Sequence, residues 1–333
     1  MERPDSATHF RGIDIIKFIM AFCVVMIHIP PLIYGVSGDK SYPQAIVYII
    51  RLAVPFFFAC SGYLMARKMA TFTDDAQKKR YILGKIKNLL KIYCYWLIIY
   101  LPLSFFAYIY MYESFGRFLS EYCRILFLRG QTFYSWPLWY LYSLIITLTL
   151  ILILRKVKFH KLLISLVSAG VLCLIWLQCV TDFIPHQLTF CTEYSLGGAL
   201  PVMLGMYLYR IRGRLKNLWL FNGLGLAVSV LLFYFNLPFS VQVGGMVLAN
   251  IGLSWNARIS EKTALNLREQ SMWVFFTHMY VLYIMLRWFS HIDYFPSAYV
   301  VEPVALLLSF ALGLLLTWIQ KFRAFSKIKV LIR

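Results

Sequence analysis

The chain has 333 residues, 61% apolar and only 14% charged, against roughly 45–50% and 25% in a soluble domain. That composition excludes a soluble two-domain protein and leaves any chemistry to membrane helices and short loops. The formal net charge of +19 invites a nucleic-acid partner, but its placement along the chain argues for membrane topology instead.

From the N-terminus, Met1–Lys17 is polar, and no small-residue cleavage site follows the first apolar stretch, so no signal peptide is expected. Apolar stretches near the length of a membrane crossing then follow in order: Ile15–Tyr34, Ala45–Ala66, Ile92–Met111, Leu138–Leu154 and Leu162–Val180. The series continues with Leu196–Leu208, Leu218–Phe235, Val241–Trp255, Met272–Leu286 and Val304–Ile319. The sixth and eighth are short and hold Gly197-Gly198 and Gly244-Gly245, small residues that let neighbouring helices approach closely.

With a cytoplasmic N-terminus, the cytoplasmic pieces are the tail to Lys17, then 67–91, 155–161, 210–216, 256–270 and 320–333. They hold 27 of the 33 Lys and Arg residues, the asymmetry that the positive-inside rule predicts. The expected fold class is an all-α polytopic membrane protein of about ten transmembrane helices with both termini cytoplasmic. Residues 1–333 form one integral-membrane domain, with a core bundle over 10–320 and a basic tail over 321–333. On the outer face, Tyr112–Trp136 carries Arg117, Glu121 and Arg124 at i, i+4, i+7. That spacing reads either as an amphipathic surface helix or as an ordinary interfacial connector.

Ionisable residues within apolar spans are expensive unless paired or solvated, and so mark candidate sites. On the first helix, Asp14, Lys17 and His28 share one stripe. Lys17 and His28 differ by about 20° around the axis and lie about 16 Å apart along it. Asp14 and Lys17 also suit a boundary ion pair at i, i+3, and His28 suits a packed histidine. Arg51 lies in the outer part of the second helix and needs a carboxylate, a substrate or an interface to snorkel to; Pro55 kinks that helix and frees a carbonyl. Lys87 and Lys91 fall at i, i+4 in a basic run that either is topogenic or faces an anion. His278 in the ninth span is a second intramembrane histidine. The seven cysteines show neither metal-ligand nor disulfide spacing, so no metal is expected. No Walker A, GxSxG, HExxH or GxGxxG motif occurs.

These residues resemble the integral-membrane acyltransferase family 3, which includes polysaccharide O-acetyltransferases. The likeness rests on Asp14-x-x-Lys17-x10-His28 and on Arg51-x-x-Val54-Pro55-Phe56-Phe57-Phe58-x-x-Ser61-Gly62-Tyr63. It extends to Lys87 and Lys91, to Leu138-Trp139-Tyr140-Leu141 and to Ser271…His278. Lys17, Lys87 and Lys91 stand where many members carry Arg, and Met279 follows His278 where Pro is common. The resemblance implies that His28 is the essential histidine and that cytoplasmic acyl-CoA, usually acetyl-CoA, is the donor substrate, with no bound cofactor. It implies a hydroxyl acceptor on a glycan or lipid-linked saccharide, in a bacterial inner (plasma) membrane.

In that reading His28 is the base or transient acyl carrier, and Arg51 stabilises negative charge or holds the acceptor. Asp14, Lys17, Lys87 and Lys91 bind the donor, and Ser61, Trp139 and His278 line the pocket. The Arg51–Tyr63 stretch also resembles the membrane half of the vancomycin-resistance serine racemases, a half linked to serine uptake. That likeness supports a small-solute transporter as an alternative. A non-catalytic component of an envelope-assembly complex is a third reading.

Overall fold

The computed structural model describes residues 10–30, 42–111, 114–181, 193–292 and 296–332. The end of the first expected span (31–34), together with Tyr112 and Glu113 of the outer connector, lies outside the described residues. Among the described residues the chain is all-helical, 84% helix joined by short turns, with no strand. All ten apolar stretches fall on helices. In chain order these are α1 (Arg11–Ile29), α2 (Gln44–Arg51), α3 (Ala53–Ala70), α4 (Asp75–Met111) and α5 (Phe115–Arg129). Next come α6 (Trp139–Leu154), α7 (His160–Val180), α8 (Glu193–Leu196), α9 (Ala199–Arg212) and α10 (Leu218–Tyr234). Last are α11 (Ser240–Ser254), α12 (Glu261–His291) and α13 (Ala298–Ile319), followed by a 3-10 segment, Arg323–Leu331.

Among the described residues, seven segments are long and apolar enough to cross a membrane: α1, α2–α3 together, Asp75–Ile109, Trp136–Leu154, α7, α12 and Val300–Ile319. The sixth, seventh and eighth expected spans instead fall on helices of 14, 17 and 15 residues, α9, α10 and α11. At 1.5 Å per residue these reach about 21–26 Å, short of the roughly 30 Å of hydrocarbon. The chain is a multi-pass helical membrane protein.

The break between α2 and α3 follows from one residue. Pro55 has no N–H to give the carbonyl of Arg51, and its ring clashes with that carbonyl, so the helix is interrupted at Leu52, which keeps right-handed angles (φ −64°, ψ −23°). α2 and α3 therefore run on as one span, and Arg51, at its interruption, lines a cavity.

α3 packs against α9 and α11, and α1 packs against α12. The α3–α9 crossing brings backbones into contact: a Cβ on Gly62 would run into the carbonyl of Val202, and one on Gly205 into that of Ala59. The pair Gly244-Gly245 acts as its sequence implies, with Gly245 set against Pro55 and Phe56 of α3. α12 is bound to α4 by rings: Trp96 stacks on Phe276 at 4.8 Å and 9°, and Tyr100 donates to the carbonyl of Phe276 at 2.6 Å. α7 and α13 leave most of their apolar surface uncovered, as helices facing lipid do.

The two ends of the bundle differ. Phe10, at the start of α1, meets Tyr63 near the end of α3 at 6.2 Å, and Tyr63 meets Tyr209 near the end of α9 at 5.6 Å. This is the basic end. The far end holds the last turn of α1, the break after Arg51 and the start of α6.

Candidate active site

A cavity of about 680 Å³ opens at the far end. His28 reaches it from the last turn of α1, Arg51 from the α2–α3 break and Trp139 and Tyr140 from the first turn of α6. Arg129 from the end of α5, Gln131, Trp136, Tyr194 and Gln242 complete its polar and aromatic wall. His28 and Arg51, read from the sequence as one site, do line one space. So does Trp139. Ser61 sits one layer behind, its hydroxyl 3.0 Å from that of Tyr140. Tyr140 is also wedged among Phe58, Phe57 and Phe275, so its ring position is fixed.

His278 stands behind His28. The two rings stack with centroids 5.3 Å apart and planes 14° apart, and the Trp136 ring, tilted by 51°, lies 5.7 Å from that of His28. His278 is fully buried. Its Nδ1 lies 3.1 Å from the carbonyl of Val274; a carbonyl only accepts, so Nδ1 carries the proton. Its Nε2 is buried with no hydrogen-bond partner among the described residues. His28 is thus held by ring contacts with His278 and Trp136 while it lines the cavity.

The chain between α5 and α6 is tied down, which fixes Gln131 and Trp136. The amide of Thr132 donates to Ser135 Oγ at 2.6 Å, and the Thr132 hydroxyl lies 3.2 Å from that of Ser104 on α4. α5 is the surface helix that the charge spacing allows. Ser114 caps its start, Gly130 closes its end in the left-handed region (φ 65°), and Arg124 pairs with Glu121 at 2.5 Å. That hydrogen bond holds the Glu121 carboxyl below the usual carboxylate range. Gly130 ends the helix where Arg129 turns inward, its guanidinium 4.0 Å over the ring of Tyr194.

Arg129 is the main site residue that sequence reading missed. It sits at the end of a connector rich in charge, where an arginine reads as an interface anchor, and only the cap at Gly130 reveals its aim. Gln131, Tyr194 and Gln242 carried no charge to flag them. The Oε1 of Gln242 is buried in the cavity wall with no hydrogen-bond partner among the described residues.

The expected donor residues do not converge on this cavity. Asp14 is buried on α1 near the basic end, and Lys17 is partly buried three residues on. Lys87 and Lys91 stand exposed on α4, Lys91 with its Nζ 5.8 Å from the Tyr95 ring centroid. α1 is helical from Asp14 through His28, so the stripe of Asp14, Lys17 and His28 holds as helix geometry and links the two ends.

A family model described as an acyltransferase domain matches residues 10–320. Over 153 residues, 45% of this chain, the sequence is 32% identical to a serine/alanine racemase of Enterococcus gallinarum. That match covers 20% of the racemase, so this chain corresponds to about a fifth of that relative's length. No solved structure matches the chain. Since the family model runs from the start of α1 to the end of α13, over the whole bundle that builds the cavity, the chain belongs to acyltransferase family 3.

Proposed function

We propose that the protein moves an acyl group, acetyl or similar, from cytoplasmic acyl-CoA to a hydroxyl of a cell-envelope saccharide. The observation that carries this reading is the meeting of His28 and Arg51, with Arg129, in one aromatic cavity at the far end of the bundle. Acyl transfer needs a base for the acceptor hydroxyl and positive charge for the oxyanion that forms on the acyl carbonyl. His28 takes the hydroxyl proton as the oxygen attacks the thioester carbonyl. Arg51 and Arg129 stabilise the oxyanion or hold the saccharide, and Trp136, Trp139 and Tyr140 offer flat faces to a sugar ring. As the tetrahedral intermediate collapses, the C–S bond breaks and the proton on His28 passes to the leaving thiolate. The products are an ester and free coenzyme A.

The basic residues at the opposite end support a donor on the cytoplasmic side, in an orientation with both termini there and the cavity toward the outside. The thioester arm, or the acyl group, then travels along the α1 stripe. The test is acyl-CoA turnover by the purified protein, with and without His28.

The similarity to the serine/alanine racemase favours a second reading, carriage of a small amino acid whose carboxylate would sit between Arg51 and Arg129. Uptake of labelled serine into vesicles without acyl-CoA is the result that would select it.

A further inference from the structure

The basic end holds a second cavity, of about 260 Å³, lined by Lys78 of α4, Arg155 at the end of α6, His160 and Lys161 at the start of α7, and Arg210 near the end of α9. A neighbouring space of about 440 Å³ shares His160, Lys161 and Arg210 and reaches the first turn of α7. Four helices thus aim cations at one cleft. Asp75 lies opposite them, and it is engaged by Arg155 at 3.4 Å.

Topogenic lysines and arginines ordinarily spread into water, because like charges held together repel. Here the arrangement is fixed instead. Lys161 is partly buried and within electrostatic reach of both Arg210 and Lys78. The short connector from α6 to α7 is clamped: the Val157 amide donates to the Leu154 carbonyl at 2.8 Å, and His160 Nδ1 donates to the Val157 carbonyl at 3.0 Å. Phe159, just before α7, adopts φ 63°, a left-handed conformation that a bulky side chain rarely takes. The clamp sets the start of α7 on the cleft wall, where His160 and Lys161 line it and the positive end of the helix adds to the side-chain charge.

We propose that this cleft binds a phosphate group. Lys161, Lys78 and Arg210 supply the charge, and the start of α7 supplies backbone donors. Two sources share that chemistry: the phosphates of a soluble coenzyme A thioester and the headgroup of an anionic lipid. The phosphate site stands on the cleft itself; naming coenzyme A as its source rests on the acyl-transfer reading above. The cleft adds a site to the expected donor residues, since Lys17, Lys87 and Lys91 are not among those lining it.

The experiment uses the full chain in phosphatidylcholine nanodiscs, titrated with coenzyme A, while native mass spectrometry counts phosphatidylglycerol retained from expression. Lys161→Gln and Lys78→Gln are compared with Lys156→Gln, an exposed lysine of the same connector that does not line the cleft. Monodispersity and the midpoint of thermal unfolding establish folding. Lys78 lies in the first turn of α4, outside the core, and repeats the test should Lys161→Gln fail to fold.

Coenzyme A affinity at least tenfold weaker in both cleft variants, unchanged in Lys156→Gln, supports the site with the donor as its source. Retained phosphatidylglycerol that the cleft variants lose, with no coenzyme A binding to the wild type, supports the site with lipid as its source and removes the acyl-CoA reading. Wild-type levels of both ligands in folded cleft variants overturn the proposal.

Discussion

His28 and His278 lie face to face, ring centroids 5.3 Å apart and 14° from parallel, although 250 residues of chain separate them. One ring edges the cavity and the other is fully buried, its Nδ1 committed to the carbonyl of Val274. This division of labour makes His278 a positioning residue. His278→Phe keeps a flat ring behind His28 and should retain turnover within a few-fold. His278→Ala should cost roughly 10²-fold in turnover, because a displacement of about 1 Å at a reacting group has that effect. Loss of turnover in a well-folded His278→Phe variant would show that its imidazole takes part in proton transfer.

Arg51 and Arg129 approach the cavity from different elements. Removing either as Ala should lower turnover by about 10²–10³-fold, the scale seen on removing one oxyanion donor. Lysine should not restore it, because a compact ammonium lacks the planar fork of the guanidinium. Steady-state kinetics against acceptor concentration separates the roles: a residue that only holds the saccharide raises KM and leaves kcat near the wild-type value.

The α3–α9 crossing leaves no room for a side chain. Gly62→Val and Gly205→Val force backbones apart, and overpacking of a close contact costs about 1–3 kcal/mol. Thermal unfolding in detergent should place both well below the wild type. Gly84→Ala, on an exposed stretch of α4 with nothing within 4 Å of an added Cβ, should be neutral or slightly stabilising.

The charge asymmetry carries a topological prediction. Cysteine-accessibility or reporter tags at the N-terminus, near Lys156 and near Arg258 should report the cytoplasm, and a tag near Lys40 should report the outside. Opposite sidedness for the N-terminus and Arg258 would break the proposed orientation.

Much of the bundle was legible because apolar runs announce helices in lipid, and each of the ten stretches falls mainly on helix among the described residues. Length was less legible. α9 and α11 are short because glycine pairs and close crossings, rather than lipid, define their surroundings. In the site, His28, Arg51 and His278 were legible as polar groups in apolar sequence. Their meeting was not, since it depends on how α1 packs against α12 and against α2 and α3. Arg129 and the Lys161 cleft share one reason for escaping notice. Charges near helix ends look alike in sequence whether they face water or each other, and only a cap or a clamped connector tells them apart.

The most direct test of the central claim is acyl-CoA turnover by purified His28→Ala protein, measured beside its coenzyme A binding and its thermal unfolding. A folded variant that binds coenzyme A as the wild type does but transfers acyl groups at least about 10²-fold more slowly is the predicted result. Turnover at the wild-type rate would contradict the assignment of acyl-transfer chemistry to the His28–Arg51 cavity.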